Sequence, residues 1–234
     1  MRVQGPLPVG IPRARRGCLD AAGPLTTSAL NRVTIPARAA HWPPGQSVSA
    51  PRTGRGHIAT VEDMETWDAI RARRNVRSFD ERPIPTEHLE RVLEAARRSP
   101  SASNRQRWDF VLVTDRRQLR ELSTVWAGAH HLAGSAAAIV MVLPEPDSDR
   151  YLTIDQFDLG QATMAMMLAA TDLGIGSGHS AAGDQEACRS IFGVPRDLHC
   201  AYMLALGYPA DRPLSPIARP ARRLLDEIVH HGRW

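Results

Sequence analysis

The order of elements in this sequence predicts an α+β fold rather than a doubly wound parallel sheet. Three observations lead there. Short apolar runs at Phe110–Thr114, Ala136–Leu143 and Ala201–Leu206 have strand length, and helical segments of unequal length separate them without a regular βαβ rhythm. The glycine run Gly174-x-Gly176-x-Gly178 follows a helical segment instead of a strand, so it fails the context that a dinucleotide-binding fingerprint requires. No internal repeat is present.

The folded part is expected to begin near residue 63. Residues 1–60 hold eight prolines, seven glycines and eight arginines against one acid, Asp20, and show neither helical nor strand periodicity. Such a segment cannot bury enough apolar surface to order, so residues 1–62 are expected to be a disordered extension and 63–234 the one folded domain. Met64 stands just before the first periodic segment, and a mis-assigned start at or near Met64 is the expected origin of the extension.

A short helix is predicted around 64–74, with Trp67 and Ile70 on its apolar side. A second starts at Thr86, a candidate N-cap after Pro85, and carries the stripe Leu89, Val92, Leu93 and Ala96. It must stop at Ser99, because the residue before Pro100 is pushed out of the helical region. After the strand at 110–114, Asp115 is placed to cap a helix through Leu119 and Leu122. The buried strand 136–143 ends at Pro144. The longest helix follows at about 153–173, with Met164, Met166 and Met167 read as core filling. Gly174 ends it, Asp184 caps a short helix through Ile191, and the last buried strand is 201–206.

Composition narrows the chemistry. All 29 basic residues are arginine, which excludes a Schiff-base lysine and a Walker-type phosphate loop. The net charge of +4 is unevenly spread: residues 1–60 carry +7, which leaves −3 on the rest. The basic pI therefore reflects the extension, and no nucleic-acid partner is expected of the folded part. Cys18, Cys188 and Cys200 form no CxxC and leave one thiol over in any pairing, which fits a reducing, cytoplasmic setting. No apolar run reaches membrane-spanning length, so no membrane partner is expected. His130-His131 and His230-His231 lack further ligands at suitable spacing, so no metal is expected.

The chemistry is carried by Arg71-Ala-Arg-Arg-Asn-Val-Arg-Ser-Phe79, which places four arginines in seven residues. A run of arginines is by itself most often a solvated basic face. At a helix end, however, guanidinium forks can grip a phosphate through paired, charge-assisted hydrogen bonds. Three further blocks keep it company: Pro100-Ser-Ala-Ser-Asn-Arg-Gln-Arg-Trp108, the stretch after Gly174-Ile-Gly176, and Arg222-Arg-Leu-Leu-Asp-Glu-Ile228.

In this order the four blocks resemble the nitroreductase family over about residues 65–230. Arg73-Arg74-Asn75-Val76-Arg77-Ser78-Phe79 departs from the family pattern only at Asn75, where serine is usual. The second block has Arg107 where proline is usual, and the fourth lacks the family's proline. The resemblance implies a central, mainly antiparallel sheet flanked by helices, in an intertwined homodimer with FMN at the subunit interface. It implies that Arg73 and Arg74 reach the FMN phosphate and ribityl chain, with Asn75 as an amide donor. Arg77 would lie beside the edge of the flavin where negative charge gathers on reduction. Pro100, Ser101, Ala102 and Asn104 would be delivered to the ring by the other subunit. Backbone groups of His179, Ser180, Ala181 and Ala182 would face the flavin's N5 side, and Arg222 and Arg223 would close on the phosphate from the far end of the chain. NADH or NADPH would be the electron donor and a small electrophile, such as a nitroaromatic or a quinone, the acceptor, in a ping-pong sequence. The flavin carries the chemistry, so no catalytic side chain is assigned.

Other functions compete with this one. A flavin-fold enzyme of cofactor biosynthesis or dehalogenation would fail to turn over NAD(P)H with a nitroarene. A non-catalytic flavin-binding module would keep a yellow cofactor without oxidising NAD(P)H. A nucleic-acid-binding protein would owe its steep salt dependence to residues 1–60.

Overall fold

The computed structural model describes residues 64–234, so the expectation of a disordered 1–62 extension falls outside the described residues. Four strands form one sheet: β1 (Asp109–Val113), β2 (Ala137–Pro144), β3 (Gly176–Ala181) and β4 (Leu198–Gly207). Their spatial order is β1-β2-β4-β3 and every pairing is antiparallel. Five helices flank them: α1 (Thr66–Ala72), α2 (Thr86–Arg97), α3 (Arg116–Leu122), α4 (Asp149–Asp172) and α5 (Gln185–Phe192). The α+β architecture read from the sequence is thus the one found.

β2 explains why one run of the sequence is uninterruptedly apolar. Ala137, Ile139, Met141 and Leu143 pack with α2 and α4 on one face, while Ala138, Val140 and Val142 pack with α3, α5 and Leu132 on the other. Alternate residues of a strand point to opposite faces, so a strand covered on both sides must be apolar at every position.

The helices begin and end largely where local chemistry dictates. Asp115 Oδ1 accepts from the backbone N–H of Arg117 and Gln118 at 3.0 and 2.9 Å, and Asp184 Oδ1 accepts from Ala187 N–H at 2.9 Å. Each bond satisfies a donor that the first turn of a helix would leave open. Two details depart from the sequence reading. Thr86 is the first helical residue rather than the cap; Pro85 occupies that position and offers no side-chain bond. In α1, Ala69 and Ala72 are buried while Trp67 and Ile70 face outward, because α1 packs through its small side chains.

α4 starts about a turn earlier than its apolar periodicity suggests. Ser148 caps it by accepting from Tyr151 N–H, and Gly174 ends it with a left-handed φ of 69°. Met166 and Met167 are buried in the core, as expected, whereas Met164 is partly exposed. Among the described residues no helix is long and apolar enough to cross a membrane.

Candidate active site

The glycine run that fails as a dinucleotide fingerprint has another purpose. It forms the start of β3, the edge strand against which the arginine segment lies. Val76 N–H donates to Ser177 O at 2.9 Å, and Asn75 and Ser177 form a parallel bridge. A Cβ on Gly176 would stand 2.6 Å from Val76 Cγ2, and one on Gly178 would stand 2.4 Å from Val76 O. Only glycine permits this approach. The same contact carries Arg73 to the side of His179.

Between β3, β4 and α4 lies a cavity of about 420 Å³, lined by Arg73, His179, Tyr202 and by Gln156, Leu159, Gly160, Thr163, Met164 and Met167 of α4. That volume falls within the range of cofactor sites, roughly 300–1,000 Å³. Tyr202 Oη donates to Gln156 Oε1 at 3.2 Å on its wall.

Buried polar atoms of the arginine segment and of β3 meet no partner among the described residues: the Nε of Arg73 and of Arg74, the hydroxyl of Ser177 and, on the other face of β3, that of Ser180. An unpaired buried donor costs on the order of 1–3 kcal/mol, so these atoms call for a partner that the described residues do not supply. The backbone adds donors. Ser177 turns its peptide groups outward to Val76, and by the two-residue period of a strand His179 and Ala181 do the same beyond the end of the arginine segment. Their N–H groups face the open edge of the sheet. Ser180 and Ala182 face β4 instead, and Ala182 N–H reaches Ala201 O at 3.5 Å. A phosphate with an extended, acceptor-rich ring system fits this set: a guanidinium for the anion, edge amides for the ring.

The remaining arginines are placed differently. Arg74 Nη2 is engaged by Asp211 Oδ1 at 2.6 Å and by Arg212 O at 2.8 Å, and its guanidinium holds the Asp211 carboxyl below the usual range. It therefore fastens the chain leaving β4 to the arginine segment. Asn75 and Arg77 are exposed. Arg222 and Arg223 lie in the exposed C-terminal stretch, where Arg222 donates to Ala221 O and Arg223 pairs with Glu227. The structure brings Arg73 and His179 together on one cavity, whose lining within one chain does not include Arg222 or Arg223.

Under β3, the buried His131 donates from Nε2 to Gly178 O at 3.1 Å. Burial holds its imidazole below the ordinary value against the opposing bond to Gly178, and the charge of Arg77 adds to the lowering. A histidine whose folded value is depressed contributes stability that is complete above its unfolded value of 6.5 and is lost as pH falls below it. Melting temperature should therefore fall more steeply for the wild type than for His131→Gln between about pH 7 and pH 5, since glutamine keeps the donor without the charge. Parallel slopes in a thermal unfolding series would contradict this placement.

The loop of the second block serves a different surface. Pro100, Ser101 and Ala102 line a separate groove of about 470 Å³ with Ile154, Phe157, Asp158 and Gln161, another stripe of α4. Ala102 N–H donates to Asp158 Oδ2 at 2.8 Å, and Arg107 faces Asp155. Asn104 is exposed at its tip. Sequence reasoning passed over Asp155, Asp158, Gln156 and Tyr202. Two acids three residues apart on the longest helix were a usable signal; Gln156 and Tyr202 gave none.

A family model described as the Nitroreductase family matches residues 70–129 and 124–208, which take in the arginine segment, the loop and β3. The chain belongs to the nitroreductase family. A protein of Archaeoglobus fulgidus, whose name couples NADH dehydrogenase with NAD(P)H nitroreductase, is 33% identical over 176 residues, 73% of this chain and 99% of that one. An oxygen-insensitive NADPH nitroreductase of Salmonella typhimurium is 28% identical over 183 residues, 71% of this chain and 72% of that one. An FMN-dependent nitroreductase structure from Clostridium difficile superposes with a TM-score of 0.62 at 22% identity, covering 71% of this chain and 98% of that one, which shows the shared fold. As a nitroreductase, the chain is an oxidoreductase of the NAD(P)H-dependent flavin class.

Proposed function

We propose that this nitroreductase binds FMN in the cavity beneath β3 and transfers hydride from NADH or NADPH to an electrophilic small molecule, a nitroaromatic or a quinone, in ping-pong order. The observation that carries the reading is Arg73. Arg73, whose buried Nε has no partner among the described residues, lines the same cavity as His179 of the free sheet edge. Arg73 holds the phosphate there, and the outward N–H groups of His179 and Ala181 orient the ring system. Arg77 places a fixed positive charge at the start of β3, where it favours charge accumulating on the ligand. Bound FMN supplies the hydride transfer itself, and the protein supplies position, charge and exclusion of water.

The same reading makes the protein a homodimer. Within one chain, the Pro100–Asn104 loop and the Arg73 cavity occupy different stripes of α4. A second copy brings its loop over the first copy's cavity, so that Asn104 acts across the interface. Exposed Phe157, 70% accessible beside the loop, is the kind of apolar side chain such an interface covers. The buried thiols of Cys188 and Cys200 suit a cytoplasmic, reducing setting.

The visible spectrum of the purified protein tests this. Under anaerobic conditions a flavin band should bleach on adding NADH or NADPH and return on adding a nitroarene or quinone after the nicotinamide is removed. A band that never bleaches would make the protein a flavin binder only, and no band after incubation with FMN would remove the cofactor assignment.

A further inference from the structure

Ser103, Asn104 and Gln106 have φ values of 54°, 55° and 51°. None is glycine, and three left-handed residues within four positions persist only where the surroundings over-determine them. Part of the support is internal to the loop: Asn104 N–H donates to Ser101 O at 2.9 Å, Arg105 N–H to Ala102 O at 3.2 Å, Gln106 N–H to Ser101 Oγ at 3.0 Å, and the Gln106 side-chain amide to Asn104 O at 3.3 Å and Asn104 Oδ1 at 3.0 Å. α4 adds one hydrogen bond and one ion pair. Asp158, 7% exposed, accepts from Ala102 N–H at 2.8 Å, and Asp155, 4% exposed, faces Arg107 with Oδ2 3.3 Å from Nε.

Two carboxylates buried on one helix, one turn apart, are costly to desolvate. Neither bonds to the core. Their partners among the described residues all belong to the loop, one at each end of its left-handed stretch. Arg107 is further steadied by Tyr151, whose ring lies 5.2 Å from its guanidinium carbon.

We propose that Asp158 and Asp155 are positioning residues: from α4 they hold the Ser101–Arg107 loop in its left-handed form and so present Asn104 to the flavin site of the partner chain. This rests on the dimeric reading above, and the test separates the two. Hydrogen exchange of the full-length protein should rise about tenfold across residues 101–107 in Asp158→Ala, with α2 and β2 unchanged. Asp158→Asn, which keeps an acceptor for Ala102 N–H, should restore protection. Arg107→Gln leaves α4 intact and should loosen the same peptide. Unchanged exchange in Asp158→Ala and Arg107→Gln overturns the proposal, as does loosening spread evenly over the fold.

Subunit mixing supplies the second readout, counted as FMN bound per dimer. Arg73→Ala chains mixed with Asp158→Ala chains should form dimers with one undamaged site, binding one FMN at concentrations where either parent binds none. Mixed dimers of a chain carrying both changes with a wild-type chain have a lesion in each site, so that mixture should bind no FMN beyond its remaining wild-type dimers. Arg73→Ala mixed with Asn104→Ala is the control for the dimer itself. If the control recovers and the Asp158→Ala mixture does not, Asp158 does not act through the loop. If neither recovers, the dimeric reading fails, and the presentation of Asn104 across the interface fails with it.

Discussion

Arg73→Ala is expected to weaken FMN about ten- to a hundred-fold while changing riboflavin affinity little, as followed by quenching of flavin fluorescence. In the proposed site the lost contact would be a charge-assisted hydrogen bond to the phosphate, which contributes roughly 1.5–3 kcal/mol. Arg74→Ala should affect FMN less than Arg73→Ala. Its Nη2 is already engaged by Asp211 and Arg212 O, so its removal first loosens the chain leaving β4, although its buried Nε is unpaired like that of Arg73. Equal losses for FMN and riboflavin in Arg73→Ala would place the phosphate elsewhere.

Gly178→Ala should cause the largest loss of stability. The new Cβ would stand 2.4 Å from Val76 O and 3.2 Å from His131 Nε2. The nearer atom is backbone, and it belongs to the residue whose N–H is bonded to Ser177 O, so it cannot retreat without breaking that bond. Overpacking of this kind costs about 1–3 kcal/mol, and the displaced backbone bond adds about 1. Urea unfolding should report a total near 2–4 kcal/mol, together with loss of FMN binding as Arg73 moves away from β3. Gly134→Ala, where nothing lies within 4 Å of the added methyl, is the matched control and should leave both properties intact. A wild-type midpoint in Gly178→Ala would mean that the arginine segment does not lie against β3.

The sequence showed the fold most clearly where period and capping agreed. The β2 run, the stripe of α2 and the Asp115 and Asp184 caps all appear within a residue or two of where they were expected. β3 was missed because Gly176-Ser-Gly178-His-Ser180 carries no apolar alternation: the side chains are absent to admit Val76, and the strand is defined by its neighbours. Arg73 and His179 could be assigned to one site only through the resemblance, since more than a hundred residues separate them in sequence. Arg74 illustrates a limit of composition. A guanidinium run identifies what could bind an anion, but not which member is already engaged; here Asp211, unremarkable in sequence, engages Arg74. The buried Asp155 and Asp158 were masked by a helix otherwise read for its methionines.

A crystal structure of the protein grown with FMN is the most direct test of the central claim, that two chains complete each flavin site. The account predicts the phosphate within hydrogen-bonding distance of Arg73, the ring along the His179–Ala181 edge, and Asn104 of the second chain beside it. FMN bound away from β3, or a site completed by the loop of the same chain, would contradict it.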